Sequence, residues 1–164
     1  MIEKTYGNVI DIKSDLLINA SNGKGWMGGI IGRFILLKGV AETIHYADSN
    51  IEKAAKKEAR KRNVQCGDVF LTDSGKLDFP KGILHAVTML KPGQLSNLNI
   101  IERCLNNILI FCEENDIKTT TIPLLGTGTG RVNREDVLNL YENLLQPSDT
   151  IFKVVQFKRA EGKD

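Results

Sequence analysis

Between Ile122 and Asn133 the chain reads IPLLGTGTGRVN, and Gly126, Gly128 and Gly130 alternate with Thr127 and Thr129 in one short loop. Residues without a Cβ adopt positive φ at no steric cost, so successive backbone N–H groups can point into one concavity and cradle an anion. An apolar, β-rich run, Thr119 to Pro123, leads into the loop. Asn133 then offers an N-cap for a helix from Arg134 to Leu145, whose start adds partial positive charge. Strand, glycine loop and helix is the order a phosphate site needs, although an ordinary tight connection has it too. The common nucleotide fingerprints are missing: Arg131 stands where a dinucleotide motif needs its third glycine, and no Gly-Lys-Ser/Thr follows.

A second bare turn comes earlier. The run Asp15 to Ala20 (DLLINA) leads into Ser21, Asn22, Gly23, Lys24, Gly25, Trp26, Met27, Gly28 and Gly29, and the helical stretch Ile30 to Leu37 after it is too apolar for a surface element. Lys24 and Arg131 flank the two turns. Either could pair with phosphate oxygens, Arg131 through a bidentate fork, and solvation at the surface is the equal alternative. Trp26 could stack on a ligand, but with Met27 beside it the reading favours a plug onto the core.

Acid–base candidates are thin. Asp11 and Asp136 are carboxylates without an evident partner, His85 lies inside an apolar strand as a satisfied core histidine, and His45 falls on an amphipathic helix as half-exposed structure. Cys66, Cys104 and Cys112 match no metal spacing and no disulfide framework, and none lies near a loop that would activate it. The sequence therefore points to no metal, no cofactor, and reduced thiols in the cytoplasm.

These turns need a scaffold. Thr5 to Ile12 and Asp15 to Ala20 predict two strands joined by a Lys13-Ser14 turn. Val40 to Ala47 predicts a helix, and Ser49-Asn50-Ile51-Glu52 reads as a capping box opening a charged helix to Arg62. Further strands are predicted over Cys66 to Thr72 and Ile83 to Thr88. Asn97 or Asn99 caps a long helix to Glu114, with Asn115 as its left-handed stop. Leu138, Leu140, Leu144 and Leu145 supply the inward face of the helix after Asn133, and Ile151 to Phe157 is the last strand. Strand–loop–helix units between terminal strands give an α/β fold, a mixed sheet with helices on both faces, whose ligands sit beyond the carboxyl ends of the strands. Two cradles at that edge suit a diphosphate.

The 164 residues predict one domain over 1–158, with 159–164 as a frayed tail. A net charge of +2, from 22 basic and 20 acidic residues, creates no global field for nucleic acid. The basic run Lys56 to Arg62 (KKEARKR) reads as a solvated helix face, so a nucleic-acid partner is not expected. No window has the apolar length of a secretory core or a membrane span.

Asn19-Ala20-Ser21-Asn22 followed by Met27-Gly28-Gly29-Ile30, and IPLLGTGTG about a hundred residues later, resemble the macrodomain family over essentially the whole chain. The resemblance implies a three-layer α/β/α module that binds ADP-ribose, free or attached to a macromolecule, and that in some members removes it. It implies that Asn22 reaches the distal ribose, that Gly28, Gly29, Ile30 and Ile31 cover the diphosphate from one side, and that Gly126, Thr127, Gly128, Thr129 and Gly130 close over it from the other. Asn8 and Phe157 fall at the positions that read adenine. Asn8 replaces the aspartate of many members, an amide that still accepts a hydrogen bond but carries no charge. Ile31 stands where one hydrolytic branch has an aspartate, while Met89 and Gly130 stand where a second branch has a lysine and an aspartate. Both acid–base sets are therefore absent, and no catalytic residue is assigned.

Overall fold

In a computed structural model that describes residues 1–27 and 40–156, a six-stranded sheet runs in the order β1-β6-β5-β2-β4-β3. The strands are β1 (Ile2–Tyr6), β2 (Leu16–Asn22), β3 (Val69–Thr72), β4 (Ile83–Met89), β5 (Thr119–Pro123) and β6 (Ile151–Gln156). Every neighbouring pair is parallel except β3 with β4, so the sheet is mixed and its one antiparallel strand lies at an edge. Four α-helices are described: α1 (Val40–Ala47), α2 (Ser49–Arg62), α3 (Leu98–Glu114) and α4 (Arg134–Leu145).

Burial on both faces explains the strand sequences. β2 and β4 are buried almost end to end because parallel strands between two helical layers leave neither face to water. Leu16, Ile18, Leu84 and Val154 pack against Ile101, Leu105 and Ile108 of α3 and Val137 and Tyr141 of α4. On the other face Leu17, Ile83, Val87 and Val155 pack against Ile44 of α1 and Ile51, Ala55 and Ala59 of α2. The result is the expected three layers, α/β/α.

Several local expectations change. The first strand is not Thr5 to Ile12: it starts at Ile2 and stops at Tyr6, because Gly7 takes φ +145° and Asn8 caps a 3-10 turn over Val9–Asp11. Nor do the first two strands pair across a Lys13-Ser14 turn, since β1 joins β6 while β2 joins β4 and β5. β2 extends through Asn22, and the strand expected from Cys66 begins at Val69. Asp48, not Ser49, caps α2, its carboxylate accepting from the Asn50 N–H at 3.0 Å. The left-handed residue after α3 is Asp116 (φ +51°) rather than Asn115. In α4 the buried face is Val137, Tyr141 and Leu145, with Leu138, Leu140 and Leu144 only partly covered. The helix over Ile30 to Leu37, Phe157 at the end of the last strand, and the tail lie outside the described residues.

His85 is the buried histidine the sequence implied. The Asn19 amide donates to its Nδ1 at 3.0 Å, so Nε2 carries the proton and donates to the Thr72 hydroxyl at 2.8 Å, while the ring stacks on Phe70 at 4.8 Å. Complete burial holds its pKa down to about 3, against an ordinary 6.5. Between those values the unfolded chain binds one proton more than the folded chain, so stability is full above pH 6.5 and falls as the pH drops toward 3. The parent protein therefore loses about 1.4 kcal/mol more per pH unit through that window than His85→Gln, read from denaturant titrations at each pH.

His45, expected to be half-exposed, is 7% exposed. Its Nδ1 lies 2.8 Å from the Glu52 carboxylate, which also holds Lys56 at 2.7 Å. The pair ties α1 to α2 under the layer that the charged face of α2 conceals.

Candidate anion crevice

Parallel strands deliver their exits to one edge of the sheet. Gly7 and Asn8 follow β1, Gly23 to Met27 follow β2, Leu90 to Asn97 follow β4, and Leu124 to Asn133 follow β5. The ladder between β5 and β2 holds for only two pairs, Leu16 with Thr120 and Leu17 with Thr121. Beyond them β2 continues to Asn22 beside β4, while β5 ends at Pro123, which has no N–H for a ladder. The two strands part there, so the β2 and β5 exits flank a candidate ligand crevice.

The wall on the β5 side is the glycine loop. Gly126 has φ +75°, and a Cβ there would come within 2.7 Å of Ile101. A Cβ on Gly130 would meet the Gly126 carbonyl oxygen at 2.7 Å. The loop closes on itself through the Val132 N–H to the Gly126 carbonyl (2.9 Å) and the Arg131 N–H to the Gly128 carbonyl (3.0 Å), and Ser96 N–H reaches the Gly130 carbonyl at 3.0 Å. Among the described residues, nothing accepts from the N–H groups of Gly126, Gly128, Thr129 or Gly130. Gly128 and Thr129 are exposed, and a Cβ on Gly128 would stand in open space. Four backbone donors in five residues, without an acceptor among the described residues, form a candidate cradle for an anion.

The α4 N-terminus contributes less than the sequence promised. Asn133 accepts from Glu135 and Asp136 N–H at 3.0 and 3.1 Å, so two of the first-turn donors of the helix are already engaged. Tyr141, which sequence reasoning missed, fixes the loop instead. Its hydroxyl donates to the Pro123 carbonyl at 2.6 Å and accepts from the Leu125 N–H at 3.0 Å, joining the end of β5 to the start of the loop. Burial keeps that phenol protonated, its pKa well above the ordinary value. A tyrosine among leucines gives no sign in the sequence that its oxygen reaches another strand.

On the β2 side the turn is wedged between neighbours. Gly23 lies where a Cβ would meet the Leu90 carbonyl oxygen at 2.9 Å, and Gly25, at φ +68°, packs 2.6 Å from the α2 backbone at Ala55 and Lys56 by the same measure. The Asn22 amide holds the turn from within: Oδ1 accepts from Lys24 N–H (3.0 Å) and Trp26 N–H (3.2 Å), and Nδ2 donates to the Trp26 carbonyl (2.8 Å). Trp26 is half-buried, and Met27 beneath it is in the core. Gly25→Ala is expected to cost about 1–3 kcal/mol from positive-φ strain, read as a lower midpoint in urea; an unchanged midpoint would refute the wedge.

The other candidates fall as follows. Asn8 is at the β1 exit, its Oδ1 accepting from Ile10 N–H at 3.3 Å. Gly28, Gly29, Ile30, Ile31 and Phe157 lie outside the described residues. Met89 ends β4 beside Asn22 in register. Asp136 and Asp11 are exposed. Burial pushes the Cys104 thiol up to about 12 and Cys112 up to about 11, so neither is a nucleophile at neutral pH.

Comparison with known proteins agrees with this geometry. The Macro domain family profile matches residues 18–141. An uncharacterised protein of Aquifex aeolicus is 31% identical over 82% of this chain and 74% of its own length. A DNA ADP-ribosyl glycohydrolase of Mycobacterium tuberculosis is 28% identical over 84% of this chain, which spans only 36% of that protein. Among solved structures, the macrodomain of Mycobacterium tuberculosis DarG superposes with a TM-score of 0.79 at 27% identity, covering 94% of this chain and 97% of that one. Thermosipho africanus DarTG in complex with ADP-ribose gives 0.76 at 19% identity, over 96% of this chain and 43% of that one. The family match takes in β2, β4 and β5, the strands that carry the crevice and its glycine loop: the chain belongs to the macrodomain family.

Proposed function

We propose that the crevice between the β2 and β5 exits binds ADP-ribose, as a free ligand or as the modification on a macromolecule. The observation that carries this reading is the set of four N–H groups from Gly126 to Gly130 without an acceptor among the described residues. A diphosphate supplies oxygens for several donors at once, and charge-assisted bonds to backbone N–H are the strong ones. Thr127 and Thr129 belong to the same loop, and Gly28, Gly29, Ile30 and Ile31 follow the opposite turn in sequence. Asn22 has one N–H left for a ribose hydroxyl after bracing the turn. Asn8 lies at the β1 exit, farther along the sheet, where the adenine end of the ligand would lie, and Phe157 follows β6 in sequence. The fold shared with a solved protein that holds ADP-ribose supports the binding reading.

Calorimetry with ADP-ribose, ADP and inorganic diphosphate tests it. ADP-ribose is expected to bind more tightly than either fragment, because only it fills the ribose side as well. Undetectable heat with ADP-ribose alongside tight binding of another nucleotide overturns the reading.

Hydrolysis of an ADP-ribosyl linkage, ADP-ribose 1''-phosphate or O-acetyl-ADP-ribose is the alternative, favoured by the name of the mycobacterial relative. Met89 and Gly130 leave the crevice without the lysine–aspartate set, which weighs toward binding. Free thiols at Cys66, Cys104 and Cys112 fit a reducing, cytoplasmic setting. No described helix is long and apolar enough to cross a membrane.

A further inference from the structure

Arg134, the first residue of α4, is half-buried, whereas Arg60, Arg62, Arg103 and Arg131 are exposed. Its Nη2 donates to Oε1 of Gln156, a side chain 6% exposed at the end of β6. Among the described residues no carboxylate lies within ion-pair distance of this guanidinium, although Arg62 and Arg103 have one at 3.1 and 3.8 Å. Glu135 and Asp136 of the same turn are exposed. A half-buried cation against a neutral amide keeps most of its desolvation cost, and the other guanidinium N–H groups have no acceptor among the described residues. The neighbouring exit is neutral as well: Gln156 pairs in register with Tyr6, its carbonyl accepts from Gly7 N–H at 3.2 Å, and Asn8 follows.

We propose that this guanidinium takes a 2'-phosphate on the adenosine ribose, so that the crevice favours ADP-ribose phosphorylated at that sugar. The proposal rests on the ADP-ribose reading and adds one group to the same ligand. Along the sheet from the glycine loop after β5, the next exit is that of β6 and the one after it that of β1. Neighbouring strands are about 4.8 Å apart, so the β6 exit is one step from the diphosphate and the β1 exit two, the order in which ribose and base follow it. Gln156 holds one corner of the guanidinium, which leaves other N–H groups for a two-pronged pair with a phosphate. An unmodified ribose offers hydroxyls and no charge, and the diphosphate has its own donors in the glycine loop. Dinucleotide sites admit a 2'-phosphate in the same way, with an arginine near the sugar where a carboxylate would otherwise stand.

Calorimetry on the full chain with ADP-ribose and with ADP-ribose 2'-phosphate tests it. The phosphorylated ligand is expected to bind about tenfold more tightly, the effect of one charge-assisted pair. Arg134→Met should reduce that preference to less than about twofold, and Arg134→Lys, which keeps the charge without the fork, should retain part of it. Lys57→Met, at an exposed site on α2 across the sheet, should keep the whole of it. Both affinities are read on the same sample, so their ratio does not depend on how much of a variant is folded. Equal or weaker binding of the phosphorylated ligand by the parent, or an undiminished ratio in Arg134→Met, overturns the proposal while ADP-ribose binding stands. Undetectable binding of both ligands overturns the crevice reading and this proposal with it.

Discussion

Gly128→Val lowers ADP-ribose affinity by about 10–100-fold and moves the melting temperature by no more than about 2 °C. The structure separates the two effects. Gly128 has ordinary φ, is exposed, and has nothing within 4 Å of an added Cβ, so the folded chain has no reason to resist the side chain. A phosphate oxygen, however, must come within about 2.9 Å of the loop N–H groups, and an isopropyl group beside them prevents that approach. Losing one charge-assisted hydrogen bond costs about 1.5–3 kcal/mol, which sets the expected range. Gly126→Val is the contrasting variant. At φ +75° and with Ile101 2.7 Å from its would-be Cβ, it should lower the melting temperature as well as the affinity. Calorimetry and thermal unfolding on both variants decide the matter. If Gly128→Val binds ADP-ribose like the parent, the exposed part of the glycine loop is not the cradle.

Tyr141→Phe destabilises the protein by about 2–6 kcal/mol, the largest expected loss of stability. Removing one oxygen strands two buried backbone groups, the Pro123 carbonyl and the Leu125 N–H, at about 1–3 kcal/mol each. The ring and its packing survive, so the loss is polar and not a cavity effect. In a domain of this size it corresponds to a melting temperature lower by roughly 4–24 °C. The hydroxyl also anchors the start of the glycine loop, so hydrogen exchange at Leu125 and Gly126 should quicken before global unfolding. A variant with parent-like stability would mean that the loop holds its shape without this brace.

Much of the architecture was legible because its signals are local. The apolar runs of β2, β4 and β5, the Asn97 and Asn133 caps, and the glycine loop each depend on residues a few positions apart. The misread features depend on contacts made far along the chain. β1 ends early because its partner is β6, more than a hundred residues away, and Gly7 turns off that ladder. Asp48 wins the cap of α2 from Ser49 while also accepting from Lys76 N–H at 3.0 Å, a demand that the capping-box pattern does not contain. His45 is buried because Glu52 of the next helix meets it.

The same division applies to the sites. Bare backbone at two turns, the apolar strands leading into them, and the likeness to macrodomains are properties of residue type and order, which the chain carries before it folds. Tertiary structure decided which N–H groups of the loop have no acceptor among the described residues, where β5 and β2 part, and that a phenol on α4 holds the loop. It also brought the Arg134 guanidinium to Gln156 at the β6 exit. Charge and hydrogen-bond donors sum over distance in space, and sequence separation is no measure of that distance.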